Sequence, residues 1–278
     1  MTAMHQRYQF GNLEKALASR KSPPINTTWE REKGRGLMFD FGEYRLKIAT
    51  AEGSQDEVVI YEDCSMISTR VWDCSVLTAK CLENIAMKDR KMPDLRFPLN
   101  LPSNVDRPLQ VLELGAGTGL LSVCLAKLGA AVLSTEYGSS VKFLKKNCVD
   151  NEVEVPTGDD EKWTPAPGRV TSCELDWFNS NQTLESMFAE GQDTIFDLIV
   201  VTDCSLTNKD SNGVMEMIHK FGTTGHTRAI VGVCKEREGT PYCAENIPKQ
   251  FKNVKRVPEE DYHPEYSSSR YIIWSFEI

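Results

Sequence analysis

The sequence is short of the residues that build metal sites and disulfide frameworks. None of its four histidines lies at a zinc-binding spacing from a cysteine, and none of its nine cysteines forms a CxxC pair. We therefore expect no metal site, and thiols that stay reduced inside a cell. The sequence also lacks a signal peptide and any apolar run of membrane-spanning length. We expect no membrane partner and a cytoplasmic location, with the nucleus open as a second compartment.

Positive charge is also in deficit. Acidic residues outnumber basic ones by 40 to 32, and the formal net charge is −8. A protein that holds nucleic acid through its overall field would be basic, so we expect no nucleic-acid partner. Hydrophobic residues, in contrast, make up 40% of the 278 residues. Such a composition is typical of a globular chain with a full core. We expect it to be a monomer.

The chain divides into three regions by pattern. Residues 1–35 are polar, which predicts a loosely held arm with one short helix near 12–19. Residues 36–69 alternate in short runs, which predicts a small antiparallel β extension. The third region, 70–278, opens with an amphipathic helix from about 70 to 87 and a proline-rich loop over 88–108. We predict that this third region is the domain that carries the function.

Apolar strands and helices alternate after residue 108. The strands are predicted at 109–114, 131–135, 169–175, 196–203 and 227–234, with a C-terminal pair near 253–257 and 270–277. Helices are predicted between them at 119–128, 139–150, 181–189, 210–221 and 241–251, and a surface insertion at 152–168. This rhythm is typical of a sheet covered on both faces. We predict a Rossmann-like α/β fold with a seven-stranded, mostly parallel sheet.

A run of glycines follows the first of these strands. The segment "ELGAGTG", from Glu113 to Gly119, removes side chains where the chain turns and where a ligand would lie against the backbone. An open α/β sheet binds its ligand at this edge. A dinucleotide fingerprint would need its third glycine where Leu120 stands, and the Gly-Lys-Ser/Thr of a P-loop is missing.

Two carboxylates indicate which nucleoside the loop binds. Glu113 lies at the strand end, where it would repel a pyrophosphate and attract a cation. S-adenosylmethionine has no phosphate and carries an ammonium and a sulfonium. Glu136 ends the next strand, where a carboxylate can accept both ribose hydroxyls. We predict S-adenosylmethionine as the cofactor and S-adenosylhomocysteine as its product, bound by both acids and by the glycine loop, including Gly119.

From about residue 36 to 278 the chain resembles the class I, seven-strand methyltransferases. Within them it is similar to the methyltransferase-like protein-lysine methyltransferases, which modify chaperones, valosin-containing protein and elongation factors. The resemblance rests on "RVWDCSVLTAKCLE", "VLELGAGTGLLSVCLAKLGAAV", "FLKKNCVDN", "CELDW" and "FDLIVVTDCSL". It implies methyl transfer to a lysine of a protein substrate of the chaperone, ATPase or elongation-factor type.

The resemblance also implies roles for individual residues. Trp72 would pack beside the methionine end of the cofactor and Trp177 beside its adenine, where an aromatic plane is useful. Thr202 would contact the cofactor through its backbone. Gly115, Ala116 and Gly117 would present their backbone to the cofactor, and Glu136 would hold its ribose.

The family's Asp/Glu-x-x-Tyr motif is only half present. Asp203 stands where the acid belongs, and Leu206 replaces the tyrosine. A lysine, with a reference pKa of about 10.4, must lose a proton before it attacks, and Asp203 is our predicted catalytic residue, orienting the ammonium. A cap for the next helix is the alternative reading of Asp203. Methylation of a small molecule or nucleic acid, and a catalytically weak cofactor-binding module, remain the alternative functions.

Overall fold

The computed structural model describes residues 41–63, 66–88, 106–153, 162–179, 184, 187, 188 and 195–278. The predicted arm at 1–35 and its short helix lie outside this part of the chain. The first element is an antiparallel hairpin of β1 (Phe41–Ala49) and β2 (Gln55–Asp63). This hairpin confirms the predicted β extension.

Five helices and seven further strands follow within the described residues. The helices are α1 (Asp73–Met87), α2 (Leu120–Lys127), α3 (Val141–Asp150), α4 (Asn208–Phe221) and α5 (Thr240–Gln250). The strands are β3 (Gln110–Leu114), β4 (Ala131–Glu136), β5 (Val170–Glu174), β6 (Leu198–Thr202), β7 (Arg228–Cys234), β8 (Lys252–Arg256) and β9 (Tyr271–Glu277). The helix predicted at 181–189 falls largely outside the described residues. In the part of the chain that is described, no helix is long and apolar enough to cross a membrane.

The seven strands form one mostly parallel sheet, which confirms the predicted fold class. Their order is β5-β4-β3-β6-β7-β9-β8, and only β9 runs against its two neighbours. The strand order reverses at β3, because β4 lies on one side of it and β6 on the other. The loops after β3 and β6 therefore leave the same edge at a topological switch point, where sheets of this kind bind ligands.

The two faces of the sheet build two separate hydrophobic clusters. On β3, Val111 packs on the face covered by α1, α2 and the hairpin, whereas Leu112 and Leu114 pack on the face covered by α4 and α5. Ile230 and Val231 divide β7 in the same way. Burial on both faces explains why these strands are continuous apolar runs in the sequence.

Side chains from two helices cover both edges of the hairpin. On β2, Asn147 and Asn151 of α3 each accept from the N–H and donate to the C=O of one strand residue, at 2.7 to 3.0 Å. On β1, Lys80 of α1 donates to a strand carbonyl at 2.9 Å, and Glu83 accepts from a strand amide at 2.6 Å. Because an uncovered edge leaves backbone groups unpaired, these polar residues are structural. They also explain a buried Lys–Glu pair on a helix that we predicted as simply amphipathic.

The segment predicted as a surface insertion, 152–168, contains a core residue. Trp163 is 1% exposed, and its ring centroid lies 6.2 Å from that of Phe196. The prediction is therefore wrong for Trp163, because the polar residues around it hid an indole that packs on the α4 and α5 face of the sheet. Residues 154–161 lie outside the described part of the chain.

A buried carboxylate connects several segments at the edge of the sheet where the parallel strands begin. Asp197 accepts two hydrogen bonds from Arg107, at 2.6 and 2.7 Å, and one from the backbone N–H of Gln110 at 2.8 Å. His226 lies 3.0 Å from the same carboxylate. Burial alone would raise the pKa of Asp197, but these hydrogen bonds outweigh it and lower the pKa. A group of this kind stabilises the fold above its unfolded pKa of about 3.9, and the contribution is lost as the pH falls.

Replacing Asp197 by Asn should lower the free energy of unfolding at pH 7 by roughly 2–4 kcal/mol, because Arg107 loses its buried partner. The difference from the wild type should shrink as the pH falls below about 3.9, the pKa of an unfolded aspartate, because the contribution of Asp197 is then lost progressively. Urea titrations at a series of pH values measure both effects. The matched control is Glu57→Gln, which breaks the exposed Arg45–Glu57 pair and should cost less than about 1 kcal/mol. Equal losses in the two variants would contradict the prediction.

Candidate functional site

The carboxylate of Glu136 lies at the carboxyl edge of the sheet and is bound to the glycine loop. Its Oε2 accepts from the N–H of Gly117 at 2.7 Å, and its Oε1 accepts from the N–H of Tyr137 at 2.9 Å. Burial raises the pKa of Glu136, and these two backbone hydrogen bonds act against the rise. Each carboxylate oxygen keeps a second lone pair. Glu136 is thus held in place with two acceptor sites to spare.

Gly115 and Gly117 form a bend that has no room for side chains. Their φ angles are +68° and +58°, in the left-handed region that favours glycine. A Cβ atom on Gly115 would lie 2.6 Å from the Sγ of Cys204 and 3.3 Å from the ring of Trp177. A Cβ atom on Gly117 would lie 3.2 Å from the carbonyl oxygen of Ser68. The absence of side chains at these two positions therefore lets Cys204, Trp177 and Ser68 lie against the loop.

The other two predicted loop residues, Ala116 and Gly119, have structural explanations. Gly119 begins α2 with a φ of +85°, and a Cβ atom on it would lie 2.5 Å from the Cδ1 of Leu144. The N–H of Ala116 donates to the carbonyl of Thr135 at 2.9 Å and so ties the loop to β4. Packing and backbone pairing are sufficient reasons for these residues, and their contact with a cofactor stays a prediction.

Glu113 differs from the anion that we predicted. Its side chain lies on the α2 face of the sheet, is 1% exposed and is hydrogen-bonded to Ser122, which also bonds Ser134 at 2.6 Å. Burial raises the pKa of Glu113 to about 8, against the hydrogen bond of Ser122 and with a further contribution from Glu136. The carboxyl therefore holds its proton at neutral pH. It joins β3, α2 and β4, and contact with a cation stays a prediction without support from this geometry.

The segment 66–72 crosses the sheet edge beside the glycine loop. Ser68 bonds Ser140 at 2.6 Å, and the indole N–H of Trp72 donates to the carbonyl of Ile67 at 2.9 Å. The sequence predicted Trp72 within a helix, but α1 begins at Asp73, and Trp72 precedes it with an extended backbone. The ring is consequently half-buried and fixed at the edge of the sheet.

Trp177 and Thr202 reach the same edge from β5 and β6. The ring of Trp177 lies between Gly115 and Gly213 of α4, where a Cβ would be 3.7 Å from the indole. Thr202 is the last residue of β6, and its carbonyl accepts from the thiol of Cys204 at 3.3 Å. The structure thus brings together predicted residues that are far apart in the sequence. Their contact with a cofactor remains a prediction.

Asp203 forms an ion pair that sequence analysis did not predict. Arg237 donates from Nε to Oδ1 at 3.0 Å and from Nη2 to Oδ2 at 2.6 Å. The φ of Asp203 is +54°, which is uncommon outside glycine, and its N–H donates to Gly232 at 2.8 Å. Asp203 does not cap α4, because Thr207 does so with a capping box that includes Asp210. The predicted role of Asp203 toward a substrate ammonium must therefore include Arg237.

Arg237 belongs to the charged run "CKERE", a pattern that favours a solvated loop, with contact to a protein substrate as the alternative. Its side chain is only 23% exposed, and its guanidinium carbon lies 5.0 Å from the ring centroid of Trp72. Burial alone would lower the pKa of Arg237, but the hydrogen bonds and charge of Asp203 raise it. Nothing in the sequence separates Arg237 from the exposed Lys235 and Glu236 beside it. Only the turn after β7 directs it to Asp203.

This combination of groups suits a nucleoside that carries positive charge. The bare glycine bend allows close approach of a ligand, and Glu136 offers acceptors for vicinal hydroxyls. Trp72 and Trp177 add aromatic rings at this edge, and such rings attract a sulfonium or stack on a base. A carboxylate at this position would repel a phosphate group. The residues present therefore fit S-adenosylmethionine.

Comparison with known proteins also indicates a methyltransferase. A family model described as lysine methyltransferase matches residues 53–256. The chain is 26% identical over 230 residues to mouse protein N-lysine methyltransferase METTL21A, and the alignment covers 80% of this chain and 87% of that protein.

A solved structure shares the fold. It is the Thermus thermophilus 16S rRNA N2 G1207 methyltransferase RsmC in complex with AdoMet and guanosine, with a TM-score of 0.52 and 19% identity. The likeness covers 85% of this chain and 50% of that one, so this chain spans half the length of RsmC. The lysine methyltransferase match, in contrast, runs from the turn of the β1–β2 hairpin to the end of β8. Because that match spans most of the chain, the protein belongs to the lysine methyltransferase family and uses S-adenosylmethionine.

Proposed function

We propose that this protein transfers a methyl group from S-adenosylmethionine to a lysine side chain of a protein substrate. The observation that carries the proposal is the position of Glu136. Its carboxylate is bonded to the glycine loop at the switch point of the sheet, in a chain of the lysine methyltransferase family. A substrate of the chaperone, ATPase or elongation-factor type and action in the cytoplasm are the finer parts of the proposal, supported by family resemblance.

We assign the cofactor contacts to the residues gathered at the sheet edge. Glu136 accepts the ribose hydroxyls through its free lone pairs, and the backbone of the glycine loop lies against the nucleoside. Trp177 lies by the adenine, and Trp72 and Thr202 lie by the methionine end. The glycine loop follows β3, Glu136 and Thr202 end β4 and β6, and Trp177 lies shortly after β5, and this common location supports the assignment. Trp72 comes from the segment before α1. When bound, the cofactor supplies a methyl group on a sulfonium.

The protein's own residues prepare the acceptor. A lysine is mostly ammonium at neutral pH and must become a neutral amine before it attacks. We assign to Asp203, the residue after β6, the orientation of the lysine, and to the half-buried ring of Trp72 an apolar surface beside it. Much of the rate enhancement then comes from holding amine and methyl group in attack geometry.

Calorimetry with S-adenosylhomocysteine tests the cofactor site. The wild type should bind it with a dissociation constant in the micromolar range or tighter. Glu136→Ala should weaken binding by roughly 10- to 100-fold, because hydrogen bonds to a charged acceptor are lost. Glu174→Ala is the matched control, since Glu174 pairs with Glu136 in the β4–β5 register and is exposed. Unchanged affinity in Glu136→Ala would remove this residue from the site.

Tritiated methyl transfer into a cell lysate tests the reaction. The wild type should label a discrete protein band, and mass spectrometry should find the methyl group on lysine. Asp203→Ala should reduce the labelling rate at least about tenfold through lost orientation of the acceptor. Glu238→Ala, an exposed acid at the same edge, should label at the wild-type rate. Binding of S-adenosylhomocysteine without any labelling would indicate a cofactor-binding module instead.

A further inference from the structure

Three side chains form what we call the reactive edge, namely Trp72, Asp203 and Arg237. The Asp203–Arg237 contact is bidentate, with donor–acceptor distances of 3.0 and 2.6 Å. Two parallel hydrogen bonds fix the guanidinium plane relative to the carboxylate. The Asp203 side chain is 5% exposed, so its charge is poorly screened by water and depends on this partner.

Both ends of the ion pair are held in place by the fold. Arg237 lies in a tight turn in which its own N–H donates to the carbonyl of Cys234 at 3.1 Å, and the hydroxyl of Thr240 donates to the same carbonyl at 2.7 Å. Asp203 is anchored through its N–H to Gly232 of the neighbouring strand at 2.8 Å. Trp72 supports the guanidinium from one side at 5.0 Å. Three separate segments of the chain thus hold the Asp203–Arg237 ion pair in a fixed geometry.

The ion pair has a consequence for a lysine that enters this edge. A buried carboxylate without a partner would stabilise the substrate ammonium and so oppose the loss of its proton. A guanidinium beside the carboxylate offsets that effect, because like charges disfavour the protonated amine. Asp203 and Arg237 together can then orient the lysine without stabilising its unreactive, protonated form.

We propose that Arg237 is a positioning residue for methyl transfer: paired with Asp203 and packed on Trp72, it balances the charge of the carboxylate, so that the substrate lysine is oriented there yet still releases its proton. This inference rests on the proposed function and adds a residue to it. Arg237 acts through Asp203.

The chemical step balances with the groups at hand. The ammonium of the substrate first gives its proton to water. The lone pair of the neutral amine then forms a bond to the methyl carbon, and the bond between that carbon and sulfur breaks with its electrons remaining on sulfur. The product is a methylated ammonium, which can lose its remaining extra proton to solvent. Arg237 neither gains nor loses a proton in these steps.

Other charged and titratable groups also face the ion pair, and their contributions are the same in the variants compared below. Those that interact with Asp203 or Arg237 are Cys74 in α1, Cys204 after β6, Cys234 at the end of β7 and Tyr271 on β9. Asp73 and Glu236 act on Tyr271 and Cys234, and Arg70 lies 5.6 Å from the ring centroid of Trp72.

The test is the pH dependence of tritium labelling of the lysate band between pH 6.5 and 10, at limiting substrate. In the wild type the rate should rise with pH as the lysine deprotonates. Arg237→Gln should move the midpoint of this rise upward by about one pH unit, and cut the rate at pH 7 about tenfold. Asp203→Asn should move the midpoint downward, because the guanidinium then acts alone. The opposite directions of the two shifts are the signature of charge balance.

Two variants control for structural damage. Arg237→Lys keeps the positive charge but loses the planar guanidinium that makes two hydrogen bonds. The midpoint of its pH–rate curve should stay near the wild-type value while the rate falls. Arg270→Gln removes an arginine that pairs with Glu236 in the adjacent loop, and should leave the midpoint unchanged. S-adenosylhomocysteine affinity and urea unfolding of each variant show that the fold and the cofactor site remain.

Three outcomes would overturn the proposal. The first is an Arg237→Gln variant whose rate falls equally at every pH with no shift of midpoint, which would make the residue merely structural. The second is full wild-type behaviour of that variant. The third is an upward shift of the midpoint in Asp203→Asn, a result that remains decisive if the arginine variant does not fold. Absence of labelling by the wild type would instead refute the proposed function itself.

Discussion

The hydrogen bond between the Gly117 amide and the Glu136 carboxylate is the contact on which the rest of the site depends. It joins the loop after β3 to the end of β4, across the point where the strand order reverses. The amide fixes the carboxylate without using all of its lone pairs. Because Gly117 has no side chain, the segment 66–72 can lie directly against it. Trp72 is positioned by the same segment.

Charge at this edge is arranged in two different ways. Glu113 is a carboxyl whose pKa burial raises to about 8, so it serves as a neutral hydrogen-bonding group within the fold. Asp203 is also buried but is paired with Arg237, so it lies at the site as half of an ion pair. Two acids that look alike in the sequence, each near the end of a strand, therefore have different environments and different chemistry.

Much of the fold was legible in the sequence because hydrophobic periodicity is a local property. The strands after residue 108 are close to their predicted bounds, since most of them are apolar runs ended by glycine or polar residues. β8 is the exception, with the sequence KNVKR. Predictions were wrong where a residue's environment comes from distant segments. Trp163 is buried by Phe196, and α1 starts three residues later than predicted because Trp72 bonds back to Ile67. Asn147 in α3 and Asn151 just after it pair with the backbone of the hairpin, a role that no local pattern indicates.

The sequence by itself determined the class of fold, the place of the glycine bend and the carboxylate that follows it one strand later. These features are set by short-range patterns, and the edge at which parallel strands end follows from their direction. Tertiary structure alone decided that Glu113 is neutral, that Trp72 lies outside its helix and that Arg237 pairs with Asp203. Charge state and ion pairing depend on burial and on partners within a few ångströms, and chain folding brings those partners from 34 residues away in the case of Arg237. No local pattern encodes such a distance.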